Sequence, residues 1–170
     1  HPIDQMLNLY EALIDSGSAF DLTHYGSYAM NSMRIEKAYK AWGSELTTEI
    51  TPIEARLERF VDLSRNFVGS DVVREKKSEK LEMVLVYCEV ETNDTDCRGN
   101  EPIYVGNDLV GLTTSGTWSH TTDKSIAFAY VSPELESSGS VFEIEIMNQR
   151  CRATVIKDAV VDPVNKKIRK

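Results

Sequence analysis

Leu81–Val90, LEMVLVYCEV, is the stretch on which the reading of the fold turns. It is ten residues rich in Val, Leu, Met and Tyr, and it follows the charged run Lys76-Lys77-Ser78-Glu79-Lys80, which contains no apolar residue. Such a run of β-formers reads as a strand. Downstream the same pattern recurs in Pro102–Val105, Asp108–Ser119, Ser125–Val131, Val141–Ile146 and Cys151–Ile156. Turn formers separate these segments: Gly99-Asn100, Gly106-Asn107-Asp108, Ser132-Pro133, Ser137-Ser138-Gly139 and Asn148. Short strands at this spacing predict a small closed barrel or a Greek-key sandwich.

Upstream of the charged run the periodicity is helical. Ile3, Met6, Leu7, Tyr10, Leu13 and Ile14 fall at the i, i+3, i+4, i+7 spacing of an amphipathic helix, which Gly17 is expected to stop. A second helix is expected over residues 27–38, with Ala29, Met30, Met33 and Lys37 along one stripe. Thr51-Pro52 breaks any helix that follows. Arg56–Leu63, RLERFVDL, alternates as a strand does, and Asp71–Lys77 reads as a short polar helix. The predicted class is therefore α+β: a partial α+β domain over residues 1–77, then an all-β barrel over 78–170. The chain opens on His1-Pro2 inside an amphipathic pattern, which reads as a piece of something longer.

Composition narrows the function classes. The 170 residues carry 19 basic and 27 acidic side chains, a net charge of -8, and no basic stripe, so nucleic acid is not an expected partner. No apolar run approaches the roughly 20 residues of a membrane-spanning helix, and no membrane association is expected. Three cysteines, Cys88, Cys97 and Cys151, form no CxxC pair and predict reduced thiols in a reducing compartment. His1, His24 and His120 are dispersed, so no metal site is expected. His120 beside Ser119 and near Ser115 makes no triad, because neighbours along a strand point apart. The loop NDTDCRGNE, residues 93–101, lacks the ligand spacing of a calcium loop.

One cluster stands out against this acidic background. In YAMNSMRIEKAYKAWGSEL, residues 28–46, Arg34, Lys37, Lys40 and Trp42 lie close in sequence. On residue type Arg34 has two readings. Its stem packs on apolar neighbours while its head pairs with Glu36, Glu45 or another carboxylate, or it contacts a ligand.

The motifs NSMRIEK (31–37), AWG (41–43), TPIEA (51–55), VGLTTSG (110–116) and SIAFAYV (125–131), in this order, resemble the aminomethyltransferase family, the glycine-cleavage T-protein and its relatives. They look closest to the C-terminal folate-binding region of dimethylglycine and sarcosine dehydrogenases. The resemblance implies a fold that holds tetrahydrofolate for one-carbon transfer, a small methylated amine as substrate of the parent protein, and FAD only in a domain outside this chain. It implies Arg34 as a ligand contact and Trp42 at the neighbouring aromatic position. Arg59 stands where relatives carry an aromatic residue, and either meets the ligand through its charge or pairs with Glu58 or Asp62. Arg56 stands where a small residue is common. The family's one-carbon aspartate and its pterin-reading carboxylate correspond to no position here, so no catalytic residue is assigned and the chain alone is expected to have no turnover. Two alternatives remain: a non-catalytic regulatory or scaffold relative, and a stand-alone aminomethyltransferase or demethylase without flavin. The expected compartment is cytoplasmic, or the mitochondrial matrix if the source is eukaryotic.

Overall fold

A computed structural model describes residues 1–92, 94–167 and 169. The chain divides into two compact units, His1–Met30 and Asn31–Lys170.

In the first unit, α1 (Met6–Gly17) carries the predicted amphipathic stripe, and Ile3, Leu7 and Leu13 are exposed. Gly17 does not end the helix by adopting a left-handed conformation, since its φ is -77°. The left-handed residue is Asp21, at φ 54°. Gly17 is instead required by proximity: a Cβ there would lie 2.7 Å from the Leu22 Cβ.

α2 (Ser27–Glu36) runs from the first unit into the second and ends two residues before the predicted boundary. Ala38 takes the left-handed conformation, φ 52°, and the Tyr39 amide donates to the Arg34 carbonyl at 2.8 Å. This is a Schellman-type stop with alanine where glycine is usual. The buried residues of α2 are Ser32, Ile35 and Glu36, not the predicted stripe: Met30 and Met33 remain about half exposed. A stripe drawn through methionines misses a buried face on which two of three residues are polar.

Thr51-Pro52-Ile53-Glu54 closes on itself. The Glu54 carboxylate accepts from the Thr51 amide (2.9 Å) and hydroxyl (2.7 Å), while the Thr51 hydroxyl accepts from the Glu54 amide at 3.3 Å. That reciprocal arrangement is a capping box. The predicted strand Arg56–Leu63 is absent. Arg56 sits at φ 53°, and Glu58–Phe60 form a 3-10 turn closed by Val61 N–H to the Glu58 carbonyl at 3.0 Å. Leu57, Val61 and Leu63 at even spacing fit a turn as well as a strand when no neighbouring edge pairs with them. α3 (Ser70–Ser78) follows.

Six antiparallel strands, β1 (Val84–Val90), β2 (Pro102–Val105), β3 (Asp108–Ser119), β4 (Lys124–Val131), β5 (Val141–Ile146) and β6 (Gln149–Ile156), close into a barrel in the order β1-β4-β3-β2-β5-β6. Closure leaves the sheet without an edge strand. The inner core holds Val84, Val86, Cys88 and Val90 of β1 with Ala127, Ala129 and Val131 of β4 and Phe142 and Ile144 of β5. The alternate residues Leu85 and Tyr87 of β1 and Ile126, Phe128 and Tyr130 of β4 form a second core outside the barrel, together with Ile35 of α2. β1 and β4 are thus covered on both faces, which is why their sequences are almost continuously apolar. The segment that covers them, with Ile35, Ala38 and Ile50, carries Trp42 and is flanked by Arg34 and Arg59.

Candidate functional site

Arg34 projects from the last turn of α2 into a polar junction. Its Nη1 donates to Glu45 Oε2 at 2.6 Å and to the Tyr39 carbonyl at 3.2 Å, and its Nε donates to Asn31 Oδ1 at 2.9 Å. Of the carboxylate partners open to it in the sequence, Glu36, Glu45 or another, the structure selects Glu45. Glu45 is fully buried and also accepts from the Ala41 amide at 2.9 Å, the Thr114 hydroxyl at 2.8 Å and the Ser115 hydroxyl. Consecutive residues on a regular strand face opposite ways, yet both hydroxyls reach one carboxylate. A register shift against β4 between Thr113 and Ser115 makes this possible. The Tyr130 hydroxyl donates to the Glu45 carbonyl at 2.8 Å, so loop 38–46 is pinned to the barrel by side chain and backbone alike.

Glu36 plays a parallel part at the other end of β3. It accepts from the Ser119 hydroxyl at 2.8 Å and from the Thr121 amide and hydroxyl at 3.1 and 3.0 Å. Neither Glu36 nor Glu45 stands out in the sequence, because their donors come from strands far along the chain. For Arg56 the resemblance implies a small residue at that position, which is consistent with its φ of 53°.

Trp42, flanked by Gly43 at φ 86°, is 73% exposed. Lys37 is fully engaged: its ammonium donates to the Asp162 carbonyl at 2.6 Å and to Asn165 Oδ1 at 2.7 Å. Those bonds hold the segment after β6 against the end of α2, aided by Val161 N–H to the Glu36 carbonyl at 3.1 Å.

Between that segment, loop 37–40, the 56–59 turn and the outer faces of β1, β4 and β6 lies a cavity of about 490 Å³. Lys40, Arg56, Arg59 and Lys157 line it with Tyr87 and Phe128. A second hollow, of about 640 Å³, shares Tyr39, Lys40, Arg59 and Asn165 with it. Among the described residues, Lys40, Arg59 and Lys157 form no ion pair. Burial and then the neighbouring Arg59 charge hold the Lys40 ammonium below the usual lysine range. The Arg59 guanidinium lies 4.6 Å from the Phe60 ring centroid. Two like charges are thus held together beside apolar walls, an arrangement that stabilises an anionic occupant. Of the three residues predicted to bind ligand, Arg59 lines this space, while Arg34 and Trp42 belong to the adjoining loop 38–46 junction.

Comparison with known proteins accounts for both parts of the chain. Residues 1–65 match the family model for the GCVT N-terminal domain and residues 84–162 the model for the glycine cleavage T-protein C-terminal barrel domain. The chain belongs to the glycine cleavage T-protein family. It is 37% identical to the mitochondrial dimethylglycine dehydrogenase of Mus musculus over 174 residues, all of this chain and 20% of that protein. It is 38% identical to the aminomethyltransferase of Synechococcus elongatus over 134 residues, 78% of this chain and 36% of that protein. The chain therefore spans about a fifth of the dehydrogenase relatives and less than half of the aminomethyltransferases. In three dimensions it resembles the aminomethyltransferase T of the Bartonella henselae glycine cleavage system, with a TM-score of 0.82 over 95% of this chain and 45% of that one, at 22% identity. Among the described residues no helix is long and apolar enough to cross a membrane.

Proposed function

We propose that this chain supplies the C-terminal wall of a tetrahydrofolate site in a one-carbon transfer protein of the dimethylglycine or sarcosine dehydrogenase type. In this reading the FAD domain and the one-carbon aspartate lie in other parts of the parent, which oxidises a small methylated amine. The compartment is the cytoplasm, or the mitochondrial matrix if the source is eukaryotic, the dehydrogenase of Mus musculus being named as mitochondrial.

The observation that carries the reading is the cationic, aromatic-walled cleft on a chain of net charge -8. A folate is a flat, anionic molecule, and the side chains present fit it. Among the described residues Arg59 and Lys40 are cations without a carboxylate partner, matched to the glutamate carboxylates. Arg34 keeps its Nη2 free of any acceptor among the described residues, so it can brace loop 38–46 and still donate to a ligand oxygen. Trp42 offers an exposed indole face to an aromatic body. When bound, the folate supplies the nitrogen that captures the one-carbon unit. The residues of this chain bind and orient it.

Titration of tetrahydrofolate into the wild-type parent, Arg34→Ala and Arg34→Lys tests the assignment, with the folded fraction followed by circular dichroism. Arg34→Ala is expected to weaken binding by about 1.5–3 kcal/mol, the range for a hydrogen bond to a charged group. Arg34→Lys should recover little of it, because an ammonium lacks the planar fork. Equal dissociation constants for all three proteins, with a lower melting temperature for the variants, would assign Arg34 to Glu45 alone.

A further inference from the structure

Arg56 is the left-handed stop of the 52–55 turn, its amide donating to the Ile53 carbonyl at 3.1 Å and the Leu57 amide to the Pro52 carbonyl at 2.8 Å, which accounts for its backbone but not for its guanidinium. It is a non-glycine residue at φ 53°, where L-residues are strained. Its Nε is buried with no hydrogen-bond partner. Its Nη2 donates to Glu136, which follows the Pro133–Leu135 turn between β4 and β5, and its Nη1 lies 3.4 Å from Glu58 Oε1. Both Arg56 and Glu136 line the 490 Å³ cavity, and the Glu136 side chain is 45% exposed. A half-exposed ion pair contributes at most about 1 kcal/mol, too little to offset an orphaned, buried guanidinium nitrogen.

We propose that Arg56 is an anion clamp: a carboxylate-bearing ligand entering the cavity displaces Glu136 from the guanidinium and is held by Arg56 together with Lys40, Arg59 and Lys157. In the unliganded chain Glu136 stands in for the ligand carboxylate and keeps the guanidinium paired at the cavity wall. The exchange needs no backbone movement at Arg56, because its conformation is already set by the Thr51–Glu54 capping box and the Arg56 N–H to the Ile53 carbonyl at 3.1 Å. Bidentate recognition by a planar fork favours carboxylates over monovalent spherical anions. Asp158, which also lines the cavity, sets a limit: a ligand with a single charge gains less than one presenting several. The inference extends past the folate reading, since it concerns any ligand end that carries carboxylates.

The test uses two probes, citrate, a tricarboxylate with no pterin, and tetrahydrofolate, titrated calorimetrically into this chain and its variants at low salt. Glu136→Gln removes the competitor and should tighten citrate binding about three- to fivefold. Arg56→Gly, which suits the left-handed backbone, should weaken it about tenfold or more, and Arg56→Lys should recover little. In the Arg56→Gly background Glu136→Gln should have no further effect. Should Arg56→Gly fail to fold, Glu136→Gln and Arg56→Lys still decide the matter. No citrate binding, or binding that Glu136→Gln leaves unchanged or weakens, overturns the clamp. The two proposals fail separately. Tetrahydrofolate bound in a chain whose citrate titration is flat leaves the folate reading and removes the clamp. Citrate bound with the stated pattern in a chain that ignores tetrahydrofolate does the reverse.

Discussion

At the scale of single residues, the buried carboxylate of Glu45 is the strongest local constraint. It accepts four hydrogen bonds from Arg34, Ala41, Thr114 and Ser115, and only one of these donors carries charge. Removing the carboxylate strands an arginine whose side chain is only 13% exposed. Glu45→Ala is therefore expected to cost about 3 kcal/mol in a urea melt, because an uncompensated buried charge is left behind. Glu45→Gln, which keeps the acceptor oxygen but not the charge, should cost less. The Arg34–Glu45 alternative was open in the sequence as one of several pairings, but the choice was not legible, since it depends on a register shift in β3 some 70 residues away. The thiols make a second residue-scale prediction. Burial pushes Cys88 up to about 12 and raises Cys97 further still. A thiol that stays neutral in the fold but ionises when unfolded contributes stability that is full below about pH 8.5 and is lost as pH rises toward 12. Melting temperature should be flat from about pH 6 to 8 and fall above pH 9. In the native chain a thiol reagent should modify Cys151 first, the half-buried one of the three. Rapid modification of Cys88 or Cys97 would show that the barrel interior opens.

At the scale of elements, the strands were the legible part and the α2 face was not. β4 reads as a strand because Ile126, Phe128 and Tyr130 pack outward while Ala127, Ala129 and Val131 pack inward, so nearly every position is apolar. The buried side of α2 presents Ser32, Ile35 and Glu36, and its polar members are tolerated only because the Trp118 carbonyl and the Ser119–Thr121 hydroxyls and amide meet them. Hydropathy does not encode such partners. Arg56–Leu63 shows the opposite error: its alternation is broken by the adjacent Phe60 and Val61, and the left-handed Arg56 turns the chain before a ladder can start. The end of α2 offers a clean test of backbone against packing. Ala38 at φ 52° carries the cost of a Cβ in the left-handed region, about 1 kcal/mol, while its methyl packs against the outer core. Ala38→Gly relieves the first and loses part of the second, so a net gain of about 0.5 kcal/mol is expected in thermal melts. A loss of more than that would mean the methyl contact outweighs the strain.

At the scale of the whole molecule, the second core decides how independent the barrel is. The domain division proposed from sequence, 1–77 and 78–170, gives the barrel its own closed ring of hydrogen bonds and its own inner core. Yet Leu85, Tyr87, Ile126, Phe128 and Tyr130 on the outer face pack with Ile35, and Ala38 and Ile50 flank them. A chain of residues 79–170 keeps the first core and uncovers the second. Fully exposing even two of these side chains costs about 3–6 kcal/mol at the usual 1.5–3 kcal/mol each, a large fraction of a small domain's stability. The barrel alone is therefore expected to fold, with β-sheet circular dichroism retained, but to melt well below the whole chain and to bind a hydrophobic dye that the whole chain does not. Adding a peptide of residues 31–60 in trans should raise its melting point in a concentration-dependent way, since the peptide binds only the folded barrel. An isolated barrel as stable as the intact chain would mean that the outer core contributes little. Loop 38–46 would then owe its position to the Glu45 junction, and the 56–59 turn its position to the Leu85 N–H bond to the Glu54 carbonyl and the Arg56–Glu136 pair.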